Sequence, residues 1–113
     1  PIFTPAVGRF AQGMLVNVPL HLDLLTGIPS IANVHAALSN HYDGGSIVEV
    51  TPLAVSASQP RLDPEEMTGS DRMKLYVCGM EGSGQVNLVA SLDNLGKGAS
   101  GAAVQNLDLM IRG

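Results

Sequence analysis

The chain is poor in several residue types that mark common classes of protein. Its 113 residues include no tryptophan, two phenylalanines, two tyrosines and a single cysteine. One cysteine cannot form an internal disulfide, which fits a reducing compartment and hence the cytoplasm. Six lysines and arginines stand against ten acidic residues, for a formal net charge of -4, and they form no basic cluster. We therefore expect no nucleic-acid partner and no anionic membrane surface.

Long apolar runs are also missing. No segment approaches the roughly 20 apolar residues that cross a bilayer, and the opening PIFTPAVGRF has no apolar core of a secretion signal. The composition, 45% hydrophobic and 14% charged, nevertheless supplies enough apolar side chains for a globular domain. The chain begins with Pro1 rather than methionine. We interpret it as a single domain, residues 1–113, cut from a longer protein.

Hydrophobic periodicity predicts four strands. Residues 14–24 alternate between apolar and polar side chains, which is typical of a strand with one buried face. Pro19 cannot donate a ladder hydrogen bond, so this strand is expected at a sheet edge or at a bulge. The further strands are predicted at residues 47–51, 73–80 and 85–92. The turn 82–84, Gly-Ser-Gly, predicts a hairpin between the last two.

Two helices complete the predicted elements. Ser30 is an expected N-cap for a helix that ends near Gly44-Gly45, and residues 97–111 carry a second apolar stripe at helical spacing. Residues 52–70 have no period and are expected to form a surface loop with one short turn at 63–67. The order predicts an α+β fold: a largely antiparallel sheet with helices on one face.

No group of side chains predicts a catalytic or metal site. Cys78 lies mid-strand with no adjacent base, so a buried, inert thiol is expected. His21, His35 and His41 lack the spacing of a metal-ligand set and are expected to be solvated or locally bonded. The acidic residues of the stretch 63–66 are expected to lie in a solvated turn.

The segment GKGASG at residues 96–101 matches the pattern G-x-G-x-x-G between a predicted strand and a predicted helix. A complete dinucleotide-binding unit is excluded, because residues 102–113 hold no second strand and no acidic residue at the distance that a ribose requires. Two interpretations remain open. The small residues allow close helix packing alone, or they combine packing with contact to a cofactor, for which Lys97 and exposed amides suit an anionic or amide group.

The tail closely resembles the final signature of N-acetyl-gamma-glutamyl-phosphate reductases. Residues 92–107, LDNLGKGASGAAVQNL, are similar to that family's D-N-L-x-K-G-A-x-G-x-A-V-Q-N pattern. The segments 3–5 (FTP), 12–14 (QGM) and 68–70 (TGS) are similar to the same family in the same order. The resemblance thus extends over the whole chain. It departs at Gln12, where many members have arginine, and at Ala6, where many have histidine, so this chain looks like the shorter subfamily and a substrate role for that loop is doubtful.

This resemblance implies a function. The family reduces N-acetyl-glutamyl phosphate to the semialdehyde with NADPH in arginine biosynthesis, through a cysteine thioester. That cysteine, its partner histidine and the nucleotide-binding domain lie upstream in family members. The chain is therefore expected to be the carboxy-terminal substrate and dimerisation part of a glyceraldehyde-3-phosphate-dehydrogenase-like enzyme, inactive alone and without catalytic residues.

The resemblance also implies site residues and partners. Asn94, Lys97 and Gly98 are expected near the nicotinamide end of NADP in the assembled enzyme. The expected partners are the missing N-terminal nucleotide-binding domain, a second copy in a homo-oligomer and a small-molecule substrate. Two alternatives stay open: a stand-alone small-molecule-binding or regulatory module, and a fragment of an aspartate-semialdehyde dehydrogenase, whose family shares a looser version of the tail signature.

Overall fold

The structure is a computed structural model that describes residues 2–112. Pro1, from which we infer a longer parent protein, and Gly113 lie outside the described residues. The strands are β1 (Met14–His21), β2 (Val48–Val50), β3 (Met73–Cys78) and β4 (Gln85–Leu92). The helices are α1 (Ile31–His41), α2 (Leu53–Ser58) and α3 (Gly101–Arg112).

The four strands form one sheet in the order β1-β4-β3-β2. Strand β4 pairs antiparallel with both β1 and β3, whereas β2 pairs parallel with β3. The largely antiparallel α+β fold is therefore confirmed. Strand β1 lies at the sheet edge that Pro19 predicts, and its register runs unbroken from Met14 opposite Leu92 to His21 opposite Gln85.

Local sequence signals account for the ends of several elements. The Ser30 hydroxyl accepts the Asn33 backbone N–H while the Asn33 side chain accepts the Ser30 N–H, which makes a complete capping box for α1. Helix α1 ends at His41, shortly before the two predicted stop glycines. Gly82 and Gly84 adopt φ of +80° and +72° in the predicted hairpin turn, a region that glycine enters without steric cost.

The predicted boundaries differ most from the structure in three places, and the strand predicted at 73–80 also ends earlier, at Cys78. Strand β1 stops at His21, and residues 22–24 form a 3-10 turn. The predicted loop 52–70 contains α2, whose first turn follows Pro52, a residue already suited to a helix start. The predicted helix 97–111 begins at Gly101, because a π-helical turn, Gly96–Ser100, precedes it and ends in a kink at Ala99 (φ -142°, ψ -111°).

The hydrophobic core lies between α1 and one face of the sheet. Its buried members are Leu22, Ile31, Val77 and Val86. Leu53 of α2 packs against the same cluster, so α1 and α2 both cover that face. Burial of these aliphatic side chains is the main stabilising contribution to the fold.

Among the described residues, β1 and α3 each leave apolar side chains uncovered. Met14, Val16 and Val18 point to the same side of β1 and are 42%, 41% and 46% exposed; they are called the β1 face below. The prediction of a buried face on this strand was therefore wrong for these three residues. Helix α3 stands apart from the sheet, and its apolar residues are half exposed or more: Val104, Leu107, Leu109, Met110 and Ile111. Large exposed apolar patches mark interaction sites.

Candidate functional site

Asp93 organises the point where β4 ends and the chain turns toward α3. It is 2% exposed. Its carboxylate accepts hydrogen bonds from the backbone N–H of Gly69 at 2.7 Å, the Nε2 of Gln12 at 2.6 Å and the backbone N–H of Leu95 at 2.9 Å. Residues 93–98 are called the Asp93 turn. Three segments that are distant in sequence meet at this one carboxylate.

The donors around Asp93 determine its charge. Backbone N–H groups of Gly69 and Leu95 lower the pKa of Asp93 below its usual range, against the opposing effect of burial, with further help from Gly96 and Gln12. Within residues 2–112 no lysine or arginine forms a salt bridge with it. The buried anion is thus stabilised by N–H donors alone.

Asn94 and Gly98 are fixed by the same turn. The Asn94 Oδ1 accepts the backbone N–H of Gly13 at 2.7 Å, which ties the start of β1 to the end of β4. The N–H of Gly98 donates to the backbone carbonyl of Asp93 at 2.9 Å. Gly98 is exposed and Asn94 is half-buried, so both are accessible from outside the chain.

Lys97 is held on the other side of the turn. Its Nζ donates to Oε1 of Gln105 at 2.6 Å, and Nε2 of Gln105 donates to the backbone carbonyl of Asp71 at 2.7 Å. The structure therefore places Asn94, Lys97 and Gly98 together on one turn. Each of them forms a hydrogen bond within the chain, and no cofactor contact is needed to explain their positions.

The glycines of the tail serve close packing inside this chain. A Cβ on Gly96 would lie 2.8 Å from the backbone oxygen of Ser70, and one on Gly101 would collide with the Asp71 carboxylate and lie 2.7 Å from the Gly96 carbonyl. The close packing that both of our interpretations require is therefore observed, and the added contact with a cofactor stays a prediction. The packing partner is the loop before β3.

Gln12 and Gly13 lie in the loop that precedes β1. The Gln12 amide is bound to Asp93, and a Cβ on Gly13, whose φ is +119°, would lie 2.3 Å from the Pro64 carbonyl. The loop is consequently packed between the Asp93 turn and residues 63–69. The Gln12 side chain is thus occupied by a hydrogen bond within the chain.

A second polar cluster was missed by the sequence reasoning. Glu66 accepts from Lys74 Nζ at 2.6 Å and from the Tyr76 hydroxyl at 2.5 Å. Burial and the Glu66 carboxylate raise the pKa of Tyr76 well above its usual range, so the phenol stays protonated as the donor. Glu66 lies in an exposed turn, as predicted, but its bonds to Lys74 and Tyr76 were not predicted. No local signal marks this residue, because its partners belong to a strand that follows later in the chain.

His21 and His41 are exposed, as expected, whereas Cys78 is less buried than predicted. Cys78 is half-buried, and burial raises the pKa of its thiol. His35 has a local partner, the Ser39 hydroxyl 3.5 Å from its Nδ1, and a distant one, the Thr51 carbonyl 3.0 Å from its Nε2. Residues 2–112 contain no cluster of three or more histidine, cysteine or acidic side chains that could hold a metal ion. In the same residues, no helix is long and apolar enough to span a membrane.

Comparison with known proteins identifies the fold family. Residues 1–94 match the family described as semialdehyde dehydrogenase, dimerisation domain. The chain belongs to this family. As a dimerisation domain of that kind, it has the mixed sheet, the packed loop before β1 and the strand β4 within the matched region, whereas α3 lies beyond it.

Relatives of this dimerisation domain are considerably longer. The chain is 66% identical over 111 residues to the N-acetyl-gamma-glutamyl-phosphate reductases of Brucella ovis, Brucella canis and Brucella melitensis. Each comparison covers 98% of this chain and 36% of the relative. The chain thus spans about a third of the length of the curated relatives it matches, and the reductase resemblance of its tail is confirmed.

Proposed function

We propose that the chain is the carboxy-terminal dimerisation and substrate domain of a cytoplasmic, NADP-dependent reductase that converts N-acetyl-glutamyl phosphate to the semialdehyde in arginine biosynthesis. The observation that carries this proposal is the 66% identity to reductases of that name over 98% of the chain. Identity at this level over a whole domain favours a shared role. The aspartate-semialdehyde dehydrogenase alternative is supported by the description of the matched family.

The chain alone is proposed to be inactive. Thioester formation needs a thiolate, and activated cysteines have a lowered pKa beside a base or a helix N-terminus. Cys78 is half-buried, has a raised pKa and lies near the end of β3. The nucleophile of the proposed reaction therefore belongs to the part of the protein outside this chain.

The cofactor proposal concerns Asn94, Lys97 and Gly98. The Asn94 side-chain carbonyl is occupied by Gly13, but its amide N–H₂ has no partner within the described residues. Gly98 is exposed and has no side chain, so a flat ring can approach its backbone closely. These groups fit the carboxamide end of a nicotinamide better than a phosphate. NADP, when bound, supplies the hydride, and these residues orient its ring.

The two uncovered apolar surfaces are proposed to have different partners. The β1 face lies inside the matched dimerisation region, residues 1–94, and we assign it to a second copy of the chain. Helix α3 lies beyond residue 94 and presents a stripe of aliphatic side chains. We assign it to the nucleotide-binding domain, since the relatives are almost three times as long as the matched segment.

One assay separates the proposed function from its alternatives. The chain alone and the full-length protein would be incubated with NADPH and either N-acetyl-glutamyl phosphate or aspartyl phosphate. We expect turnover only by the full-length protein and only with the acetylated substrate. Reduction of aspartyl phosphate would favour the alternative dehydrogenase. Activity of the isolated chain would refute the proposal that the catalytic residues lie outside it.

The Asn94 assignment has its own test in the full-length protein. Asn94→Asp retains an oxygen that can accept from Gly13 but removes the amide donor. If Asn94 touches the cofactor, this variant should keep its thermal stability and lose at least about tenfold in NADPH affinity, as expected for one lost hydrogen bond to a buried group. Unchanged affinity would show that Asn94 serves only to anchor the loop before β1.

A further inference from the structure

The Asp93 carboxylate holds together the backbone that carries the proposed cofactor contacts. Its Oδ1 accepts the N–H of Leu95, and its Oδ2 accepts both Gly69 N–H and Gln12 Nε2. The two oxygens thus have different roles. Oδ1 stabilises the turn itself, and Oδ2 binds two segments that are distant in sequence. Asn94 lies directly between these attachments.

We propose that Asp93 is a positioning residue for the nicotinamide end of NADP: it touches no reactant and holds Asn94 and Gly98 in the orientation in which they meet the ring. This inference rests on the proposed function. It adds to that function a residue whose side chain faces inward and would otherwise be assigned to stability alone.

Three observations support the assignment. The carboxylate is 2% exposed, and no lysine or arginine within residues 2–112 forms a salt bridge with it, an arrangement that costs solvation energy and needs several donors to persist. The backbone carbonyl of the same residue accepts the N–H of Gly98. The next residue, Asn94, binds Gly13 through its side chain. Asp93 therefore holds Leu95 through its carboxylate and Gly98 through its backbone carbonyl, while Asn94 is held by its own bond from Gly13.

The carboxylate cannot be replaced by its amide without a conflict. All the side-chain contacts of Asp93 are donors directed at its oxygens, so it acts only as an acceptor. In Asp93→Asn, one of the two oxygens becomes an N–H₂ group, which meets either the Leu95 N–H or the Gly69 and Gln12 donors. The turn must then shift, and a misplaced binding group loses affinity without any change in the chemistry of the reaction.

The test uses the full-length reductase and measures three quantities for each variant: thermal midpoint, NADPH affinity by fluorescence titration, and the separate KM values for NADPH and acyl phosphate. For Asp93→Asn we expect a lower thermal midpoint and NADPH affinity weakened at least about tenfold, with the KM for acyl phosphate changed less than about twofold. Gln12→Met removes one donor only, and we expect a smaller loss of NADPH affinity in the same direction.

Ile31→Val is the control for a loss of stability alone. It removes one methyl group from a buried core side chain of α1, a helix that shares no described hydrogen bond with the Asp93 turn. We expect it to lower the thermal midpoint while NADPH affinity stays unchanged. A double variant adds a further criterion: in an Asn94→Asp background, Asp93→Asn should cost less NADPH affinity than it does alone, because both changes act through the same contact.

The possible outcomes separate the two proposals. If the wild-type full-length protein neither binds NADPH nor reduces the acyl phosphate, the proposed function is wrong and the role of Asp93 falls with it. If the wild type does both but Asp93→Asn and Gln12→Met bind NADPH normally, only the positioning role is refuted. Should Asp93→Asn fail to fold, the Gln12→Met measurement decides alone, since unchanged affinity in that variant overturns the inference.

Discussion

Glu66 lies in an exposed acidic turn and yet contributes to the stability of the fold. Burial raises its pKa, but the hydrogen bonds from Lys74 and Tyr76 and the charge of Lys74 lower it more strongly, so the net shift is downward from the usual 4.5. The ion pair with Lys74 is partly exposed and contributes little through charge alone. The bond from the nearly inaccessible Tyr76 hydroxyl makes the turn part of the fold.

The lowered pKa of Glu66 predicts a pH dependence of stability. A group whose folded-state pKa is depressed stabilises the fold fully above its unfolded pKa and loses this contribution as the pH falls through the folded value. Glu66→Gln should therefore have a lower thermal midpoint than the wild type at pH 7, and the difference should shrink as the pH falls below about 4.5. Thermal unfolding at a series of pH values measures this; a constant difference would contradict it.

The sequence drew attention to Asp93 but not to Glu66. Asp93 belongs to a recognisable D-N-L signature after a predicted strand, although the signature does not reveal that its carboxylate binds Gln12, a residue 81 positions away. Glu66 lies in no signature. In both cases the partners are brought together by the pairing of strands, so composition and spacing carry no information about them.

Helix α3 illustrates a glycine that is retained against helix propensity. In a helix, alanine is favoured over glycine by about 1 kcal/mol. At Gly101, however, an added Cβ would strike the Asp71 side chain and lie 2.7 Å from the Gly96 backbone oxygen, so the loop before β3 would have to move. Packing and propensity therefore oppose one another at this position.

Gly101→Ala should be destabilising in spite of alanine's helix preference. We expect a net loss on the order of 1 kcal/mol, since overpacking of this kind costs about 1–3 kcal/mol and the propensity gain offsets part of it. Gly98→Ala is the matched variant, because its Cβ would meet its nearest atom, Cδ1 of Leu92, only at 3.2 Å. Urea unfolding should rank Gly101→Ala as the less stable of the two; the reverse order would contradict the packing argument.

The capping box of α1 makes a second prediction for a helix. Ser30→Ala removes the acceptor for the Asn33 N–H, and we expect it to cost about 1 kcal/mol. Asn40→Ala, at an exposed position of the same helix, is the control and should be neutral or slightly stabilising because alanine is the better helix former. Chemical denaturation of both variants provides the comparison; equal stabilities would mean that the cap contributes nothing.

The β1 face and α3 are two apolar surfaces that the described residues leave uncovered. Alternating apolar residues predict a strand whose face is buried against something, and the pattern is the same whether the cover comes from the same chain or from another copy. The error in predicting the burial of Met14, Val16 and Val18 thus has a physical origin. Missing cover is what a dimerisation domain should show.

Self-association of the chain can be assigned to one surface by two matched variants. Val16→Lys places a charge on the β1 face, and Val104→Lys places one on α3; both side chains are exposed, so neither change should disturb the core. We expect sedimentation equilibrium to show a dimer for the wild type and for Val104→Lys, and a monomer for Val16→Lys. Dimerisation of Val16→Lys would place the interface elsewhere.

The local sequence was sufficient to predict the four strands, the Gly-Ser-Gly hairpin, the Ser30 cap and the edge position of β1. Each of these depends on neighbours within a few residues, on side-chain period or on the missing N–H of proline. The burial of Asp93, the Glu66 bonds and the exposure of the β1 face depended instead on which distant segments meet. Only the folded chain decides these, because strand pairing brings residues 12–21 beside residues 85–94 and no local pattern encodes that contact.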